Sequence, residues 1–183
     1  MDRLIILDRD GVINIDSEHY IKSPEEWIPY SESLEAIRIL TQHGFKIFIA
    51  TNQSGIGRQY FDEKMLSLIH RKMIDLINSS GGHLSGIFYC PHLPEDHCDC
   101  RKPKPGLLYQ IAAHLKRPLL DAVFIGDSWR DIQAGQLAGC EPILVRTGNG
   151  ESTEKKYASK LINIKVFDNL LSATEDYLIV KNE

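Results

Sequence analysis

The sequence lacks any long hydrophobic run. Its first apolar stretch, Leu4-Ile5-Ile6-Leu7, is too short for a signal peptide or a membrane span, so the protein is expected in the cytoplasm, where thiols stay reduced. It also lacks an excess of basic charge: 21 Lys and Arg stand against 25 Asp and Glu, a formal net charge of −4. Nucleic-acid backbones and anionic membranes are held by clustered Lys and Arg. Neither is therefore an expected partner, although a local basic pocket stays open. Cysteine is scarce, and three of the four, Cys90, Cys98 and Cys100, crowd into eleven positions. That is the distribution of a metal site, not of a disulfide framework. No internal repeat is visible, and the polar stretch 148–156 reads as a mobile loop. The length favours a single domain, residues 1–183, large enough to bury a core without staples.

Short apolar runs alternate with helical patterns. Strands are predicted at 4–7, 46–50, 86–89, 122–125, 143–145 and 165–167. Helices are predicted at 31–43, with Ser31 as a candidate cap and Gly44 as the stop, and at 62–78, capped by Asp62 with Met65, Ile69, Met73 and Leu76 inward. Further helices are predicted at 107–115, 131–138 and 169–178. Alternation of this kind predicts an α/β fold, a Rossmann-like parallel sheet with helices on both faces. Ligands of such sheets bind beyond the carboxyl ends of the strands. Asp8, Thr51 and Asp127 all fall there.

Four clusters bear chemistry. In Asp8-Arg9-Asp10-Gly11, two acids follow a buried strand and repel unless a cation neutralises them. Mg²⁺ suits one or two carboxylates together with a substrate phosphate, and would keep a nucleophilic Asp ionised. Alone, the pair reads better as a capped turn, because such pairs are common in turns. Thr51-Asn52-Gln53-Ser54-Gly55 offers a hydroxyl and small residues to a phosphate, or is simply a strand-to-helix turn. Arg101-Lys102-Pro103 supplies cations before a helix, or is a solvated basic loop. Gly126-Asp127-Ser128-Trp129-Arg130-Asp131 places two acids where they can meet one metal, or where Asp131 caps a helix. Separately, Cys90, His92, Cys98 and Cys100 offer three thiolates and an imidazole, the set for closed tetrahedral Zn²⁺ in a structural site. His97 is a rival ligand with an awkward chelate; Cys140 stands apart as a small core residue.

In order and context the four clusters resemble the haloacid dehalogenase (HAD) superfamily of phosphohydrolases, over residues 4–147. The resemblance implies a HAD-like fold with Asp8 as nucleophile and Asp10 as general acid and base. It implies that Thr51 and Lys102 hold the phosphate, that Asp8, the Asp10 carbonyl and Asp127 ligate Mg²⁺, and that Asp131 orients metal-bound water. Cys-Pro-His followed by Cys-Asp-Cys-Arg-Lys-Pro, with Thr-Asn-Gln-Ser-Gly, is similar to the D-glycero-D-manno-heptose 1,7-bisphosphate phosphatases; histidinol-phosphate phosphatases share the zinc loop. This implies a minimal cap and a monomer. It also implies a substrate set of Arg9, Asp16, His19, Tyr20, Asn52, Gln53, Ser54 and Arg101, and removal of the 7-phosphate to leave heptose 1-phosphate. Ser128 departs from members that carry lysine there. Histidinol-phosphate hydrolysis is the near alternative. A zinc-stabilised binding protein with a decayed site and a polynucleotide 3′-phosphatase are more distant ones, the latter disfavoured by the acidic charge.

Overall fold

The computed structural model describes residues 3–182; Met1, Asp2 and Glu183, the ends of the expected 1–183 domain, lie outside the described residues. In chain order the elements are β1 (Leu4–Leu7), α1 (Ser31–Gln42), β2 (Lys46–Asn52), α2 (Glu63–Ser79), β3 (Gly86–Cys90), α3 (Gly106–Leu115), β4 (Val123–Gly126), α4 (Trp129–Ala138), β5 (Glu141–Val145), α5 (Gly150–Lys156), β6 (Lys165–Phe167) and α6 (Leu170–Ala173). The six strands form one sheet in the order β3-β2-β1-β4-β5-β6, every pair parallel. No described helix is long and apolar enough to cross a membrane.

Period-two alternation sends each strand's side chains to both faces. Ile5, Leu7, Ile47, Ile49 and Ile125 pack under α1, α2 and α6, with Ile37, Leu40, Ile69, Met73 and Leu170. Leu4, Ile6, Phe48, Ala50 and Phe124 pack on the other face against Leu107, Leu108, Ile111 and Ala134. Both faces are covered, which is why the strands read as continuous apolar runs rather than alternating ones. Full burial of such a side chain contributes about 1.5–3 kcal/mol. Strand order reverses around β1, so the crevice beyond the ends of β1 and β4 is the topological switch point. The links after β1, β2 and β3 carry nothing larger than a single 3₁₀ turn at Pro94–Asp96, in keeping with a minimal cap.

Four local expectations are corrected. Ser31 does not cap α1: it is the first helical residue, Tyr30 takes the cap position, and the Ser31 hydroxyl donates to Glu32. Segment 148–156 is not a mobile loop. It forms α5 at 150–156, where Gly150 and Thr153 are buried. On α2 the buried stripe is Leu66, Ile69, His70, Met73 and Ile77, one position away from the expected Met65 and Leu76, which are half-buried at its edges. The last helix starts at its Asn169 cap but continues from Thr174 to Ile179 as a π-helical turn. The Asp62 cap is present, its carboxylate accepting from the Met65 N–H at 2.8 Å.

Candidate active site

Leu7 of β1 pairs with Ile125 of β4, so the residues leaving these strands meet. The Asp8 N–H donates to the Ile125 carbonyl at 2.9 Å. Gly11 turns the chain back with φ +79°, and a Cβ there would lie 2.1 Å from Asp127 Oδ2, so only glycine allows the two segments to touch. Ligand atoms of Asp8, Asp127 and Asp131 come within 4.8 Å of one another. The buried Lys102 Nζ sits 2.9 Å from Asp8 Oδ1 and 2.6 Å from Asp131 Oδ1, and donates to the Ala50 carbonyl. Asp131 Oδ2 also accepts from the Ser128 hydroxyl and N–H, so it caps α4 while facing the site.

Three buried carboxylates here face one ammonium. Burial first, then Asp131 and Asp10 against the opposing Lys102, pushes Asp8 up to about 7. Burial, Asp131 and Asp8 raise Asp127 well above the usual range. Lys102 is raised, since Asp131 and Asp8 outweigh the effect of burial. Three negative charges and one positive leave a deficit of two, which a divalent, oxygen-seeking cation would balance; the donor set fits Mg²⁺.

Asp10 differs. Arg9 holds it with two guanidinium nitrogens at 3.0 Å each, and Asn14 and Gln53 donate at 2.9 Å each. Burial opposes, yet these contacts keep its pKa below the ordinary value. Arg9 is fully buried and also touches His70 Nε2 at 3.4 Å. Burial and the Arg9 charge push His70 down to about 3, so it is a neutral core imidazole.

A cavity of about 280 Å³ opens over these groups. Of the residues expected from sequence, it is bordered by Asp8, Asp10, Asp16, Tyr20, Asn52, Gln53, Ser54, Arg101, Lys102, Asp127 and Asp131. Arg9, His19 and Thr51 do not border it. Arg9 is corrected from substrate contact to a support of Asp10, because a buried guanidinium must pair with a carboxylate. His19 is exposed and does not line the cavity, although Glu18 and Tyr20 on either side of it do. The buried Thr51 hydroxyl accepts from Gln53 at 2.9 Å. Asn52 turns its amide to the Lys102 backbone, giving and taking one hydrogen bond of 3.1 Å, and so clips the lysine to β2.

The Cys/His loop borders this floor. Sγ–Sγ separations among Cys90, Cys98 and Cys100 are 3.1–3.6 Å, and His92 Nδ1 lies 3.6 and 3.2 Å from Cys90 and Cys100. Tetrahedral zinc, with bonds of about 2.3 Å to sulfur, sets neighbouring sulfurs about 3.8 Å apart. The cluster is slightly tighter and fits that ion; His97 is not among its members. Burial opposes ionisation of Cys98, but hydrogen bonds from the Arg101 backbone and the other thiols bring it down to about 7.

Residues 99–173 match the HAD-hydrolase-like family model. A Pseudomonas aeruginosa protein called D-glycero-beta-D-manno-heptose-1,7-bisphosphate 7-phosphatase is 46% identical over 175 residues, 96% of this chain and 97% of its own. A Bordetella bronchiseptica protein of the same name is 50% identical over 151 residues, 82% and 84% of the two chains. The chain belongs to the D-glycero-beta-D-manno-heptose-1,7-bisphosphate 7-phosphatase family. The B. bronchiseptica D,D-heptose 1,7-bisphosphate phosphatase structure, complexed with magnesium and phosphate, superposes with a TM-score of 0.91 at 43% identity, covering 99% of each chain. Membership in this family bears out the expected superfamily and fold, and the histidinol-phosphate alternative gains nothing from these relatives.

Ile21, Arg130 and Asn149 border the cavity without being expected there from sequence, and the last two bear charge or hydrogen-bonding groups. Arg130 stands within a quoted cluster, on the first turn of α4, yet only its acidic neighbours attract notice there. It has no hydrogen-bond or ion-pair partner among the described residues. Burial, then the charge of Arg130, lowers the pKa of Arg101, so the two guanidinium groups feel each other at the rim. Asn149 follows β5 in the segment read as a loop; its position beyond a strand's carboxyl end was the available signal. Trp129 stacks on Tyr157, centroids 5.2 Å apart, rather than facing the cavity.

Proposed function

We propose that this chain, as a single phosphatase domain, hydrolyses the 7-phosphate of D-glycero-D-manno-heptose 1,7-bisphosphate and leaves heptose 1-phosphate for nucleotide-activated heptose synthesis. One observation carries the reading: a buried lysine bridges two acids at the floor of a polar cavity whose rim holds two guanidinium groups without carboxylate partners. Asp8 attacks phosphorus in line, forming an aspartyl-phosphate as the bond to the sugar oxygen breaks. Asp10 protonates that departing oxygen. It then takes a proton from water, which attacks phosphorus, releases phosphate and restores Asp8. The resting site keeps Asp10 ionised; the charge of an arriving phosphate raises its proton affinity. Lys102 neutralises phosphoryl oxygens; the Thr51 hydroxyl accepts from Gln53 and so supports the residue that borders the cavity. Asp8, the Asp10 carbonyl and Asp127 would hold Mg²⁺, with Asp131 behind them; when bound it supplies charge against the phosphoryl oxygens and keeps Asp8 ionised. Cys90, His92, Cys98 and Cys100 would hold structural Zn²⁺, fixing Arg101 and Lys102 in place.

Arg101 and Arg130 suit the second phosphate of a bisphosphate, because guanidinium groups pair with phosphate oxygens in a bidentate way. Histidinol phosphate carries an ammonium, which the same rim would repel. Comparing kcat/KM for heptose bisphosphate and histidinol phosphate tests this. The bisphosphate is expected to win by orders of magnitude, and the reverse order would overturn the reading. Asp8→Asn is expected to abolish turnover while leaving the circular dichroism spectrum unchanged.

A further inference from the structure

Asn149 lies between two carboxylates that the mechanism treats separately. Its N–H donates to Asp127 Oδ2 at 2.8 Å, and its side-chain Nδ2 reaches the same oxygen at 3.2 Å and Asp16 Oδ2 at 3.0 Å. One amide nitrogen carries two protons, so a single side chain serves both anions without adding charge. The backbone is built for this approach. Gly148 has φ +58°, and a Cβ there would lie 2.4 Å from Asp127 Oδ2 and 2.5 Å from Gly11 Cα. A Cβ on Gly150 would lie 1.7 Å from the Val145 carbonyl oxygen. Only a glycine on each side lets residue 149 sit against Asp127. The flanking hydroxyls close the clamp: Thr147 Oγ1 donates to the Gly11 carbonyl at 2.6 Å and Thr153 Oγ1 to the Asp127 carbonyl at 2.9 Å. Asp127 is thus gripped at its backbone and its side chain by one segment, and that segment also holds Asp16 across the cavity mouth.

We propose that Asn149 is a positioning residue that ties the metal-binding carboxylate of Asp127 to Asp16 on the substrate-facing segment. Resting on the functional reading above, the proposal gives this amide two separable effects. It orients Asp127 for magnesium, and it seats Asp16 for the sugar. Residues that orient a metal ligand typically change affinity by about 10–100-fold when removed. The backbone N–H survives any substitution, so a side-chain variant isolates the amide.

The test is calorimetric titration of Mg²⁺ into the full chain, as wild type, Asn149→Ala, Asp16→Ala and the double variant, with KM for heptose bisphosphate measured at saturating Mg²⁺. Asn149→Ala is expected to weaken Mg²⁺ binding by about 10-fold or more, whether or not Asp16 is present. It is expected to raise KM in the wild-type background and to add nothing in the Asp16→Ala background. Unchanged Mg²⁺ affinity, or KM effects that multiply, would overturn the assignment. If Asn149→Ala does not fold, Asn149→Ser replaces it: one hydroxyl proton serves one carboxylate, so one effect survives and the other is lost. A wild type that binds Mg²⁺ but releases no phosphate from the bisphosphate would sink the functional reading, and the Mg²⁺ titration would still decide the role of Asn149.

Discussion

Lys102 illustrates how charge is arranged residue by residue. It is buried between Asp8 and Asp131, its backbone is pinned by Asn52, and its ammonium also donates to the Ala50 carbonyl. None of those partners is near it in sequence, yet Asp8 was legible at a strand end, Lys102 as a cation before a helix and Asp131 in a first helical turn. The exact duties of neighbours were not. Arg9, expected to meet substrate, instead holds Asp10, and Gln53 borders the cavity while also donating to Asp10. Which partner a buried polar group chooses depends on tertiary distances that spacing does not encode. Arg130 is illegible for a different reason: an exposed arginine on a first helical turn looks like any solvated cation. Truncating either rim guanidinium, Arg101→Ala or Arg130→Ala, is expected to raise KM for the bisphosphate about 10-fold or more, the size of a charge-assisted phosphate contact. The same changes should leave hydrolysis of a small monophosphate such as p-nitrophenyl phosphate nearly unaltered. Steady-state kinetics on both substrates checks this, and equal losses on the two would contradict a second-phosphate role.

Among elements, the strands were legible because a parallel strand covered on both faces must be apolar throughout. β1 and β6 carry the bounds read from sequence, and the others differ by one or two residues. Polar segments were harder. Stretch 148–156 has no apolar stripe, so nothing in its pattern signals α5; its order comes from burying Gly150 against the Val145 carbonyl and Thr153 against Asp127. The Cys/His loop was legible through its ligand types alone. It is laced to the neighbouring strand end by the Gln53 N–H on the Cys90 carbonyl and the Gly57 N–H on the Pro91 carbonyl. Stripping the zinc proposed for this loop with a strong chelator, and then restoring magnesium, is expected to lower the thermal midpoint and to reduce kcat at least 10-fold, because Arg101 and Lys102 leave this loop directly; structural zinc contributes about 10–16 kcal/mol in small peptides. Calorimetry and activity before and after chelation, with zinc added back, provide the check, and a chelated protein with full activity would contradict it.

Across the molecule, one carboxylate ties the sheet to the C-terminal segment. Glu141 on β5 accepts from Lys165 on β6 at 2.7 Å, and also from Tyr177 and Lys181. Burial would raise its pKa, but these donors bring it down to about 2. A carboxyl with a depressed folded pKa adds stability that is complete above its unfolded value, about 4.5, and is lost as pH falls toward 2. Complete shielding would make this about 3 kcal/mol; partial exposure reduces it to about 1–2 kcal/mol. The stability difference between wild type and Glu141→Gln, followed by urea unfolding, should therefore be present at pH 6 and shrink steadily from pH 4.5 to pH 2. A constant difference would contradict the linkage. At this scale the parallel sheet with helices on both faces and the placing of the site beyond the strands' carboxyl ends were legible from the alternation of strands and helices; the strand order β3-β2-β1-β4-β5-β6 was not, because pattern alone does not say which strands pair. The π-helical turn at Thr174–Ile179 was not, because the period of its apolar residues there does not separate it from an ordinary helix.

The cavity is expected to strip one phosphate from a bisphosphorylated heptose and to spare the other. Following D-glycero-D-manno-heptose 1,7-bisphosphate by phosphorus NMR with the magnesium-loaded protein tests it most directly. The account predicts that the C7 phosphate resonance decays into inorganic phosphate while the anomeric C1 phosphate persists; loss of the C1 phosphate first, or a spectrum that never changes, would contradict it.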